Sequence, residues 1–218
     1  MSTLDSRSLA YVNTFGRRFG DVGTTTYRIV SAGLACQPAW EDMPFTIHVA
    51  EGEGGAQHEV FVRLRNGKLV ADPQRLSIAT GDFVLWHSAA GTPAYVVQGA
   101  ADEGDAGDFD SSALTSETLY THAFGVPGDY EWTDANGGSV CGVVHVTSMD
   151  SGDGEQCRAW MNALEQGTVV TIEGDRCDPP EISIVAGQTV FFAVCSGDGI
   201  AITDCSLVSG EPGEPARA

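Results

Sequence analysis

Alternation of apolar and polar positions dominates the chain. In ADPQRLSIATGDFVLW (71–86), Leu76 and Ile78 alternate with polar neighbours, Gly81-Asp82 turns, and Phe83-Val84-Leu85-Trp86 follows as an apolar run. The pattern predicts a half-buried strand, a tight turn and a buried strand. EVFVRLR (59–65) sets Val60, Val62 and Leu64 on one face, and Asn66-Gly67 behind it is a two-residue hairpin signal. EGEGGAQ (51–57) reads as a flexible acidic linker. Only GEQCRAWMNALEQ (154–166) has helical spacing. Its Cys157, Trp160, Met161 and Leu164 fall at i, i+3, i+4 and i+7, predicting a helix with that stripe on the core. The patterning predicts an all-β protein with one short helix.

The strand phrases repeat. CDPPEISIVAGQTVFFAV (177–194) follows the 71–86 phrase at an offset of 106, pairing Asp72 with Asp178, Pro73 with Pro179, Ile78 with Ile184, Gly81 with Gly187 and Trp86 with Phe192. GIAIT (199–203) then stands for PAYVV (93–97). LAYVNTF (9–15) parallels LYTHAF (119–124), with Tyr11 against Tyr120 and Phe15 against Phe124 at an offset of 109. Tyr27 after Gly23 takes the role of Tyr130 after Gly128, PFTIHV (44–49) parallels CGVVHV (141–146), and MSTL echoes DSSAL (110–114).

The order of phrases between Leu69 and Val146 resembles the cupredoxins, most closely the plastocyanin and halocyanin branch. There, as here, Gly-Asp leads to an apolar strand ending in Trp (83–86), a Phe-Asp-Ser stretch follows (109–111), and Pro-Gly-x-Tyr (127–130) leads into the closing loop. The resemblance implies two cupredoxin-like Greek-key β-sandwich modules. One is expected to be complete, over 58–147. The other is expected to be split between the two ends of the chain, residues 1–50 plus 168–205, closed by circular permutation or by exchange between subunits. A connecting segment with the helix (148–167) and a polar tail (206–218) complete the division. Type 1 copper takes two imidazoles, a thiolate and a weak axial thioether. The resemblance places those ligands at Ala94, Asp134, Gly137 and Val140, none of which supplies the expected group. No metal site is therefore expected, and no cofactor. His122 and His145 lie in strand phrases and read as packed or solvent-facing residues.

Composition narrows the setting. The formal charge is −19, from 30 acidic and 11 basic residues, and Lys68 is the single lysine. Carboxylates hold water in concentrated salt, where their mutual repulsion is screened within about 3 Å at 1 M. The balance points to an extreme halophile. Without a Lys/Arg cluster no nucleic-acid binding is expected, and no apolar run approaches the ~20 residues of a membrane span. ADEGDAGD (101–108) is dense in carboxylates but lacks the order of an EF-hand loop. The first residues show no classical signal peptide. The 6 cysteines form no C-x-x-C pair and favour disulfides over metal, without fixing their pairing. No nucleophile elbow, paired-carboxylate pattern or HExxH is present, so no catalytic residue is expected. These features predict a non-catalytic structural, assembly or surface-binding protein that self-assembles or meets neighbouring structural subunits. A capsid-decoration, turret or tail component of a haloarchaeal virion is the expected setting, at the virion or an extracellular surface. The alternative is a halocyanin-like electron-transfer protein with a non-standard metal site.

Overall fold

The computed structural model describes residues 3–34, 44–101, 108–148 and 153–208. The first half of the chain carries β1 (Asn13–Phe19), β2 (Gly23–Ser31), β3 (Phe45–Ala50), β4 (Gln57–Arg65), β5 (Lys68–Asp72), β6 (Arg75–Ala79), β7 (Asp82–Ser88), β8 (Tyr95–Ala101) and β9 (Phe109–Asp110). The second carries β10 (Leu114–Thr115), β11 (Thr118–Ala123), β12 (Gly128–Asp134), β13 (Cys141–Thr147), α1 (Gly154–Leu164), β14 (Thr168–Glu173), β15 (Arg176–Asp178), β16 (Glu181–Val185), β17 (Thr189–Ser196), β18 (Asp198–Ile200) and β19 (Ile202–Asp204). The chain is mostly β, as the alternation predicts.

An eight-stranded sheet runs β15-β14-β17-β11-β1-β7-β4-β5 through the whole molecule. A five-stranded sheet, β6-β3-β2-β8-β9, packs on its β1 half, and a four-stranded sheet, β16-β13-β12-β19, on its β11 half. Aromatic rings join the layers. Tyr27 meets Trp86 edge-on at 5.6 Å in the first module, and Trp132 meets Phe192 edge-on at 5.3 Å in the second. Trp86 and Phe192, matched by the repeat, are both fully buried and each faces the opposite sheet.

This pairing corrects the expected division at 58–147. Strands β2 and β3 pair with β8 and β6, within the first half of the chain. Strands β12 and β13 pair with β19 and β16, within the second. Both modules are therefore built from a closing half followed by an opening half, in tandem. The two opening halves share one alternating pattern, so the repeat in the sequence does not by itself say which closing half each one takes.

Residues 4–7 carry out the predicted meeting of the chain's two ends. The Ser6 N–H donates to Ile202 O at 2.8 Å, and the Ile202 N–H donates to Ser6 Oγ at 2.9 Å. Ser111 makes the same clip on Val97, at 2.9 Å in both bonds. Leu9 then pairs with Tyr95 while Leu114 pairs with Ile200, so each segment crosses from one module to the other. The central β1–β11 ladder is antiparallel about Phe15↔Tyr120, which gives the molecule a pseudo-twofold axis.

The expected register of the closing halves also shifts. The Gly81 N–H donates to Phe19 O and the Gly187 N–H to Phe124 O, so Phe19 rather than Phe15 matches Phe124, at an offset of 105. Likewise Trp132, not Tyr130, takes the place of Tyr27, since Trp132↔Gly142 matches Tyr27↔Phe45 in the ladders. Tyr11 is 67% exposed.

The helix forms where predicted, capped by Asp153, whose carboxylate accepts the Glu155 and Gln156 N–H groups. Its stripe is not core. Met161 is exposed, and the contact is a shallow one in which the Trp160 Nε1–H donates to Ala186 O at 2.8 Å. The layers are already closed by strands, which leaves the helix only the β16–β17 turn to cover.

Candidate functional site

The eight-stranded sheet buries one face in the two cores, and among the described residues no further layer covers the other. The sheet is mixed, with parallel β4–β7 and β14–β17 pairs among antiparallel ones, and a face open to water normally carries polar side chains. Here the outer face carries Phe83, Leu85 and His87 of β7, Leu119 of β11, Phe191 of β17 and Phe61 of β4, which line a shallow cleft of about 850 Å³ across the pseudo-twofold axis. A Cβ at Gly16 would run into Phe83 and Leu85, so only glycine lets these two side chains lie against β1. The Phe61 ring stacks on His87 at 5.7 Å, and the Arg63 guanidinium sits 5.8 Å above Phe61. Imidazole Nδ1 of His87 shares a hydrogen bond with Thr14 Oγ1 at 3.1 Å, while its buried Nε2 has no partner. Burial lowers the His87 pKa, against a smaller opposing pull from Glu59, so the ring is neutral at neutral pH. The cleft thus offers aromatic surface edged by polar side chains, among them Thr14, Gln57, Thr121, Thr189 and the carboxylate of Glu59.

Other titratable groups serve the scaffold. Asp82 accepts the N–H groups of Ala79 and Ala56, each at 2.9 Å, and pairs with His58 Nε2 at 2.8 Å. The Ala79 N–H foremost, then His58, hold its carboxyl down at about 2. Gln188 takes its place in the second module, accepting the Val185 N–H at 3.2 Å and donating to Gln166 O at 2.7 Å. Half-buried His145 bridges Asp129 at 2.6 Å and Glu181 at 3.0 Å, and the Asp129 bond foremost raises its pKa. It acts as a proton-linked tie across β12, β13 and β16. His122, by contrast, is buried against Phe124 at 4.6 Å, and burial pushes its pKa down to about 4. Among the described residues no group of three His, Cys, Asp or Glu side chains could hold a metal ion.

The four positions matched to copper ligands do not come together in one module. Ala94 precedes β8 in the first, where its carbonyl accepts the Ala32 N–H at 3.0 Å. Asp134, Gly137 and Val140 form the β12–β13 turn in the second. The Asp134 carboxylate accepts the N–H groups of Asn136 at 3.0 Å, Gly138 at 3.1 Å and Ala201 at 2.8 Å, so it is the turn's internal anchor. Gly137 has φ of 87°, the left-handed conformation that glycine adopts without strain, and Val140 is buried. The acidic stretch 102–107 lies outside the described residues, as does Cys36. Cys141, Cys157, Cys177 and Cys195 are free thiols, against the expected disulfides.

Sequence reasoning missed the cleft. Its signal was present in Phe83–Trp86 and Val190–Val194, runs without polar alternation in two central strands of the sheet. Such runs require cover on both faces. Among the described residues no helix is long and apolar enough to cross a membrane. The chain matches no protein-family model, and no match to it is found among curated proteins or solved structures.

Proposed function

We propose that the chain is a non-catalytic, self-associating structural protein of a halophilic system, made of two cupredoxin-like modules that have lost the copper site. The observation that carries this reading is the aromatic outer face of the eight-stranded sheet. Eight strands ~4.8 Å apart, each about six residues at ~3.3 Å, present a face of roughly 750 Å². That is close to the about 800 Å² per partner of a standard interface. The occupant that fits best is a second copy, because a face with a pseudo-twofold axis can meet its own likeness across a true one. Repulsion between two chains of charge −19 opposes the contact in dilute salt and is screened in concentrated salt. A capsid-decoration, turret or tail protein of a haloarchaeal virion fits this behaviour. The electron-carrier alternative draws no support from Asp134, whose carboxylate is occupied by three backbone N–H groups.

Sedimentation velocity in roughly 1–2 M KCl tests the proposal, since screening there is shortest. The wild-type chain should associate with rising concentration, and the double variant Phe61→Glu, Phe191→Glu should stay monomeric with an unchanged circular dichroism spectrum. A wild-type chain that is monomeric throughout sinks it.

A further inference from the structure

Cys141 opens β13 in the four-stranded sheet, and Cys177 is the central residue of β15 at the edge of the eight-stranded sheet. The two layers of the second module bring them together. The Cys177 thiol donates a hydrogen bond to the backbone carbonyl of Cys141 at 3.1 Å. Because carbonyl oxygen and Cα of one residue lie ~2.4 Å apart, the Cys177 sulfur is within roughly 5.5 Å of the Cys141 Cα. Both thiols are free, and the exposed Cys141 side chain has room to change rotamer. The first module does without sulfur here. Thr46↔Arg75 matches Val143↔Glu181 in the ladders, which puts Pro44 and Ala71 at the corresponding places. The cysteine pair is therefore an addition to the second module rather than a demand of the shared fold.

We infer that Cys141 and Cys177 are a redox-controlled pair whose disulfide staples the two sheets of the second module at its outer edge. The oxidant class is a low-molecular-weight disulfide. The Cys141 thiolate attacks one of its sulfurs, forming a mixed disulfide and releasing one thiolate. The Cys177 thiolate then attacks the Cys141 sulfur, closing the protein disulfide and releasing the second thiolate. Two electrons pass to the oxidant, and the two protons lost by the protein thiols are taken up by the released thiolates. Burial foremost, then the nearby Cys141, raises the Cys177 pKa, so ring closure quickens as pH rises.

The test uses the full chain, fully reduced and then exposed to oxidised glutathione in concentrated KCl. Intact mass should fall by two hydrogens, and a non-reducing peptide map should join the Cys141 and Cys177 peptides. The melting midpoint should rise by roughly 5–15 °C, reversibly with reductant, as expected for a disulfide in a chain of this size. Cys177→Ser should retain glutathione on Cys141, and Cys141→Ser should form neither link nor that adduct. A Cys141–Cys205 link, glutathione that persists on wild-type Cys141 without closure, or Cys177 left reduced would overturn the inference. The wild-type peptide map decides the matter even if a variant folds poorly.

Discussion

Trp86 and Phe192 show what single residues contribute. Each lies at 0% exposure between layers, with Trp86 against Tyr27 and Phe15, and Phe192 against Trp132 and Tyr120. Truncation to alanine at either site should cost about 3–5 kcal/mol, from lost transfer energy plus the cavity left behind. Denaturant titration in constant high salt measures it, and a near-zero cost at one site would show that the two are not equivalent. His122 makes a different kind of contribution. Its ring is buried beside Phe124 and its Nδ1 has no partner, so the folded chain holds the neutral form with a pKa of about 4. The unfolded chain takes up that proton near pH 6.5. Stability is therefore whole above about pH 6.5 and declines as pH falls to about 4, by about 3 kcal/mol over the window. His122→Leu removes the titration and should flatten the decline. Unfolding free energies at pH 7 and pH 4.5, compared between wild type and variant, check this; parallel slopes would refute it.

At the scale of elements, the opening halves were legible and their partners were not. Asp72/Asp178 through Trp86/Phe192 share turn chemistry and apolar spacing, so one offset fitted every residue. The closing halves share only scattered aromatics, and LAYVNTF aligns with LYTHAF as well by eye as by physics. What decides is the backbone bond from Gly81 to Phe19 and from Gly187 to Phe124, a non-local fact. Which closing half serves which opening half was equally hidden, because the first opening half is joined to a closing half on either side by connections of similar length, 51–56 and 102–108. The serine clips illustrate the order that results. Ser6 and Ser111 are each fully buried, and each hydroxyl accepts one buried N–H, from Ile202 and Val97. Ser6→Ala and Ser111→Ala should therefore cost similar amounts, about 1–3 kcal/mol, by leaving that N–H unsatisfied. If Ser6→Ala is neutral while Ser111→Ala is not, the segment at 5–7 is not the structural counterpart of 110–112.

For the whole molecule, one sheet joins two cores. β1 lies between β7 and β11, so the first module cannot lose it without exposing the edge of the second. Unfolding should consequently be cooperative across both modules. The charge of −19 acts on this coupled body as a whole. At about 0.1 M salt the screening length is ~10 Å, long enough for carboxylates on neighbouring strands and on the two modules to repel, whereas near 1 M it is ~3 Å and only direct neighbours interact. Expansion relieves the repulsion, so dilution of salt favours the unfolded chain. Thermal melts followed by circular dichroism should show one transition whose midpoint falls as KCl is lowered from about 2 M to about 0.1 M. Sucrose, an excluded solute that strengthens burial without screening charge, should recover only part of the loss at low salt. A midpoint that is flat in KCl, or fully recovered by sucrose, would show that charge repulsion does not set the stability. Two resolved transitions would show that the β1–β11 ladder does not couple the modules.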